Sequence, residues 1–297
     1  MDLDTLIIAV FCLIDDEMRD LTAGRRVRER GPDPVLTDSE VLTMEVVGEY
    51  LGLDQDKAIF RYFQRHYGHF FPHIRQLHRT TFVRQAANLW VWKEQLWQRM
   101  AELVPHDEAL AIVDSFPVPV CQFARAYRCR GFRGQAAYGH DELARQTFYG
   151  FRGHVRLCWP GVISRFDLAP GNASDLAVLP ELVDGTHGQV IGDRNYWSPK
   201  TKAMLAEQGI QLLAPYRSAT TDPWPQWSHF LSRIRYRIDT VFGQLAERYH
   251  AKKVWARDLW HLCSRFLRKV LSHTIAVFLW TQQGNADLQI EKLLVAA

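Results

Sequence analysis

The run Ala109-Leu110-Ala111-Ile112-Val113-Asp114-Ser115 decides how this chain is read. A short apolar segment with β-branched residues, followed by Ser115, Pro117 and Pro119, has the pattern of a buried strand rather than a helix. Asp114 is then a carboxylate at a sheet's end. Working outward, Gln189-Val190-Ile191-Gly192-Asp193 repeats the pattern of apolar strand followed by Asp. Ile234-Arg235-Tyr236-Arg237-Ile238-Asp239-Thr240-Val241-Phe242 sets a third Asp in a helical pattern. Three carboxylates delivered by separate elements can converge on a pair of divalent metal ions. Hard cations such as Mg²⁺ take oxygen ligands together with substrate phosphates, which suits phosphoryl transfer on a nucleic acid.

With 297 residues, 47% of them hydrophobic, the chain can bury a sizeable core. Its net charge of +3 is too small to establish a nucleic-acid partner, so local clusters must carry that argument. The cysteines, Cys12, Cys121, Cys129, Cys158 and Cys263, contain no C-x-x-C pair and indicate neither a disulfide framework nor a zinc site. The apolar run Leu6 to Ile14 is flanked by acids and is too short to span a bilayer, so a cytoplasmic protein without a membrane partner is expected.

The first part reads as helices over residues 1–22, 38–51, 54–66 and 80–103, the second opened by the capping box Thr37-Asp38-Ser39-Glu40. Short helices carrying Arg79, Arg84 and Lys93 permit a helix-turn-helix-like DNA-binding unit, and equally an ordinary bundle. His66, His69, His73 and His78 lack ligand spacing and read as solvated or stacking rings. From residue 107 the pattern changes to strands. The long connection Cys121 to Gln146 alternates Arg125, Arg128, Arg130, Arg133 and Arg145 with Tyr127, Phe132 and Tyr138, and is either a DNA contact or a solvated loop. A hairpin over 148–168 turns at Trp159-Pro160-Gly161, Asn172-Ala173-Ser174-Asp175 caps a helix to Leu182, and Ser198-Pro199 starts another that stops at Gly209. A strand over 210–214 and helices over 227–250 and 259–282 complete the chain. The expected architecture is α/β: an all-helical domain over 1–105, and over 106–297 a mixed sheet flanked by helices, with the three acids at a common rim.

In sequence and order, Val113-Asp114-Ser115, Phe148-Tyr149-Gly150-Phe151-Arg152-Gly153-His154, Leu168-Ala169-Pro170-Gly171-Asn172, Gly192-Asp193-Arg194-Asn195-Tyr196 and Arg235-x-x-Ile238-Asp239-Thr240 resemble bacterial DDE transposases, and within them the insertion sequence 982 family. The resemblance implies a ribonuclease-H-like catalytic domain with two Mg²⁺ or Mn²⁺ ions. It also implies a nucleoid-associated homodimer or larger homo-oligomer that cleaves the terminal inverted repeats of a mobile element, as double-stranded DNA, and joins them to target DNA. Asp114 and Asp193 match the first two acids of the triad, and Asp239 stands where the family has Glu. Asp is shorter by one methylene, about 1.5 Å, and catalysis is sensitive to misplacement on that scale. The alternative is therefore a catalytically impaired relative that binds element ends as a regulator. Smaller departures are Asn195 for a Gly and Arg152-Gly153 for Lys and an apolar residue. Arg128, Arg130, Arg133, Arg152, Arg194, Arg233, Arg235, Arg237, Lys252 and Lys253 are the candidate phosphate contacts, joined on the last helices by Arg248, Arg265, Arg268 and Lys269.

Overall fold

The computed structural model describes residues 1–28, 30–142 and 144–294; Glu29, and Leu143 in the connection Cys121 to Gln146, lie outside the described residues. In chain order its elements are α1 (Leu3–Thr22), α2 (Asp38–Tyr50), α3 (Asp56–His66), α4 (Arg79–Asn88), α5 (Trp90–Leu103), β1 (Asp107–Pro119), β2 (Ala137–Asp141), β3 (Gln146–Trp159), β4 (Val162–Pro170), α6 (Asp175–Leu182), β5 (Gly188–Ile191), α7 (Pro199–Ala206), β6 (Ile210–Leu213), α8 (Pro225–Glu247) and α9 (Leu259–Gln282). They form two compact units, Met1–Val104 with Leu245–Ala297, and Pro105–Gln244. Among the described residues no helix is long and apolar enough to cross a membrane.

The helical unit is built on α2, which is buried from Val41 to Tyr50 beneath α1, α3, α4 and α9. The capping box forms: Thr37 Oγ1 accepts from Glu40 N and Glu40 Oε2 accepts from Thr37 N. One helix was expected over 80–103; two form, α4 and α5, meeting at Leu89. His66 and His69 lie against Tyr62, Tyr67 and Phe70.

A helix buried all round must neutralise its charges internally. Glu45 pairs with Lys93 of α5 at 2.6 Å, while Glu49 takes Arg268 Nε at 2.5 Å and Lys269 Nζ at 2.7 Å. Asp56 closes the network on Arg265 and Arg268. Arg268 and Lys269 are thus core residues and are not available to phosphate, a correction to their reading as a basic surface. For the same reason α9 packs with the N-terminal helices, whereas the sequence pattern alone assigned it with the sheet.

This unit is expected to lose stability in acid. Burial holds the His273 imidazole down to about 4 from its ordinary 6.5. The unfolded chain then binds a proton that the folded chain refuses, so stability falls between pH 6.5 and about 4. The loss amounts to about 3 kcal/mol from this group. Burial pushes Asp56 up, but Arg268 and Arg265 overcome it and hold the carboxyl well below its ordinary 3.8, so a further loss follows below that pH. Urea unfolding as a function of pH checks this; a midpoint flat between pH 7 and 4 would contradict it.

The second unit is a mixed sheet in the order β2-β3-β1-β5-β6, with β4 also on β3. The free edge of β3 is shared in tandem: residues 146–150 pair β2 and 151–158 pair β4. The parallel pairs β1–β5 and β5–β6 make the other half. The strand with Asp114 runs further than expected, to Pro119. Only Leu110 to Ile112 of β1 have β5 alongside, so beyond them β1 has an open edge where Pro117 and Pro119 cost no ladder bond on that side.

Alternation along β1 sorts its side chains between two covering layers. Ala111 and Val113 join Leu179, Leu182 and Leu205 of α6 and α7 on one face. Leu110 shares the other face with Ile191, Leu213 and the α8 residues Leu231 and Ile234. By the same rule Asp114 faces α8 and Ser115 faces α6. The hairpin β3–β4 turns where expected, with Cys158 opposite Val162.

Candidate active site

Asp114 lies within β1, opposite Val155 of β3 and just past the end of the β1–β5 pairing, and not at the sheet's end where the sequence pattern set it; Asp193 lies two residues beyond β5, so both acids stand where the parallel β1–β5 ladder stops. Asp193 caps the short 3₁₀ turn Arg194–Tyr196, its Oδ1 accepting from Asn195 N at 2.8 Å. Asp114 Oδ1 accepts from Ser115 N at 2.8 Å, and its Oδ2 takes Arg235 Nη2 of α8 at 2.5 Å. Burial pushes the Asp114 carboxyl up to about 6; Arg235 opposes the rise and Asp193 adds to it. Asp193 is likewise raised by burial, against Arg235.

On the α6 face, strand pairing sets Ser115 opposite His154 and Pro117 opposite Arg152. Ser115 Oγ donates to Asp175 Oδ1 at 2.7 Å and accepts from Arg152 Nη1 at 3.0 Å, while Arg152 Nη2 reaches the His140 carbonyl at 2.7 Å. His154 is fully buried with Nδ1 3.6 Å from Asp175, and burial lowers its pKa, which keeps the ring neutral. Tyr196 is fully buried; burial, then Asp175, Asp114 and Asp193, push its hydroxyl well above the usual range. That hydroxyl stays protonated, a donor with no hydrogen-bond partner among the described residues.

Asp175, Ser115, His154 and Tyr196 were not among the expected site residues. Ser174-Asp175 reads locally as an ordinary helix cap, and Ser174 does cap α6. The one local signal was that Ser115, His154 and Tyr196 stand inside the blocks that carry the resemblance.

Asp239 is placed differently from the other acids. The buried stripe of α8 is Leu231, Ile238 and Val241, with Arg235 and Phe242 on its flank, where Arg235 meets Asp114 and Phe242 meets Phe116. At about 100° per residue Asp239 falls about 40° beyond Arg235 on that flank, and it is exposed. Among the described residues no group of three or more His, Cys, Asp or Glu could hold a metal ion. Asp114 and Asp193 are thus brought together and share Arg235, while Asp239 stands one helical turn past that arginine.

The basic residues divide. Arg130, Arg133, Arg233 and Lys253 are exposed, and Arg128 is exposed over the Tyr127 ring at 4.9 Å. Arg237 lies over Trp159 at 5.3 Å, and Arg194 donates to the Tyr216 carbonyl at 2.8 Å. Lys252 is half-buried in the turn after α8. The connection after β1 is more ordered than a bare loop, with a 3₁₀ helix at Phe123–Arg128 before β2.

The sequence profile of the transposase DDE domain matches residues 105–255, just over half of the chain and nearly coincident with the sheet unit. The chain belongs to the DDE transposase family. Its function accordingly lies in DNA transposition. No curated protein and no solved structure matches it.

Proposed function

We propose that the protein is a transposase of the ribonuclease-H-like type, similar to the insertion sequence 982 family, that cleaves the ends of a mobile DNA element and joins them to target DNA. The observation that carries this reading is the pair Asp114 and Asp193 where the parallel pairing of β1 and β5 stops, compensated by the single guanidinium of Arg235. Carboxylates whose ionisation is opposed by burial, and further by Asp193 at Asp114 and by Asp175 at Asp193, suit a hard divalent cation. Asp114 and Asp193 would hold Mg²⁺ or Mn²⁺, with Asp239 the third acid on α8. Metal bound there supplies charge neutralisation at the phosphoryl group and lowers the pKa of water or of a DNA 3′-hydroxyl.

The chain's own residues supply the rest. Arg152, tied to Ser115 and the His140 carbonyl, keeps a guanidinium beside the acid-bearing segment of β1. Asp175 accepts from Ser115 Oγ and so holds the residue next to Asp114, with the buried His154 ring alongside Asp175. Exposed Arg130, Arg133, Arg233 and Lys253 neutralise DNA phosphates in this reading, so binding should weaken steeply with salt. The helical unit would contact the element ends, and two or more copies would pair them.

The second reading, an end-binding regulator that does not cut, is favoured by one feature: Arg235, not a third acid, faces Asp114 while Asp239 is exposed. Cleavage of a labelled duplex bearing the element end, with Mg²⁺ or Mn²⁺, separates the two. On the transposase reading the wild type cuts, and Asp239→Glu, which restores the missing methylene, cuts about tenfold faster. If only Asp239→Glu cuts, the regulator reading holds. If neither does despite tight end binding, the enzymatic proposal fails.

A further inference from the structure

Beyond Asp193 the sheet unit contains a slot of about 340 Å³ whose lining includes Trp197, Tyr216, Trp224 and Trp227, with Lys202 and Asp222 as its charged members. That volume lies at the small end of ligand sites, about 300–1,000 Å³. Two of these rings, Trp224 and Trp227, do not fill a core. Trp224 is 64% exposed and Trp227 46% exposed, an unusual cost for the largest apolar side chains unless they meet a partner.

The walls are tied in place. Trp197 and Tyr216 stand 4.9 Å apart at 58°. Arg194 holds the Tyr216 carbonyl at 2.8 Å, and Tyr216 N donates to Ser228 Oγ at 3.2 Å. Asp222 Oδ1 accepts from Trp224 N at 2.8 Å, which fixes the approach to α8. The slot is also continuous with the acid site along the chain, because Asp193 caps the turn that ends at Trp197. The slot's lining also includes Tyr196, whose hydroxyl feels the charges of Asp114 and Asp193.

What fits is flat, has two π-faces and carries hydrogen-bonding groups on its edge. A purely apolar partner would leave Lys202 and Asp222 facing it without function. A nucleobase uses all three kinds of group: rings to stack on, a carboxylate for its amino or imino donors, and an ammonium for the adjoining phosphate.

We infer that this slot receives an unpaired nucleobase of the DNA strand whose phosphate lies at Asp114 and Asp193. The inference rests on the transposase reading and deepens it: the strand is opened at the reacting position, and the extruded base stacks among Trp197, Tyr216, Trp224 and Trp227. Stacking energy then offsets the loss of pairing, least at positions already mismatched.

The test compares binding of two fluorescein-labelled DNAs by anisotropy, a fully paired duplex and the same duplex with a short internal run of mismatched thymines. The wild type is expected to prefer the mismatched DNA about tenfold or more. Trp224→Ala, at an exposed ring whose loss leaves the core intact, should bring the preference close to unity, and Trp224→Phe should restore most of it. Equal binding of the two DNAs by the wild type, or a preference that survives both Trp224→Ala and Trp227→Ala, overturns the slot and leaves the transposase reading standing. Failure of the wild type to bind either DNA overturns both.

Discussion

Asn in place of Asp114 is expected to reduce metal-dependent cleavage by about 10³-fold, on the scale seen when one preorganised electrostatic group is removed from a reacting centre. The substitution conserves volume, and Asn can still accept from Ser115 N as Asp114 does. What it removes is the charge facing Asp193 and Arg235. The fold should therefore persist, with a small loss from leaving Arg235 without its partner. Cleavage rate and urea midpoint measured on the same preparation separate the two effects. A variant that cuts at the wild-type rate would remove Asp114 from the mechanism, whereas one that fails to cut because it is unfolded would be exposed by its midpoint.

The largest expected stability effect lies far from the chemistry. Arg268→Met should destabilise the helical unit by about 3–5 kcal/mol, the range for breaking a buried ion pair from one side. Arg268 is 1% exposed and answers Glu49, Glu45 and Asp56 together, so its loss strands carboxylates where water does not reach. Against a total stability of about 5–15 kcal/mol, that is a large fraction. Adding Glu49→Gln should recover part of the loss, because the stranded charge and not the missing volume is the main cost. A loss below about 1 kcal/mol, or no recovery in the double variant, would mean that water or rearrangement already serves those acids.

Two arginines on neighbouring helices illustrate why basic character is a weak guide to DNA contact. Arg233 on α8 and Arg268 on α9 stand in similar local patterns. One is exposed and the other is among the most buried side chains of the chain. The difference is made by Glu45 and Glu49, more than two hundred residues earlier, on a helix that happens to be buried on all sides.

Short-range signals were legible in the sequence because their physics is short-range. The apolar run before Asp114, the Gly161 turn, the Thr37 capping box and the caps at Ser174 and Ser198 each act within a few residues, and each appears in the structure. Asp114 and Asp193 were legible in the same way, as carboxylates closing apolar strand patterns, and the end of the β1–β5 pairing brings them together. Where β1 stops was less legible, since Pro117 and Pro119 end a strand only if both edges are paired.

Tertiary structure alone decided the rest. Arg235 reaches Asp114 across 121 positions of chain, and Asp175 reaches Ser115 across 60. Those meetings depend on strand register and on which flank α8 turns to the sheet, quantities that no local periodicity specifies. A rotation of about 40° separates a helix that offers Arg235 from one that offers Asp239. The residues determine the acids and the elements that bear them; packing determines which charge each acid meets.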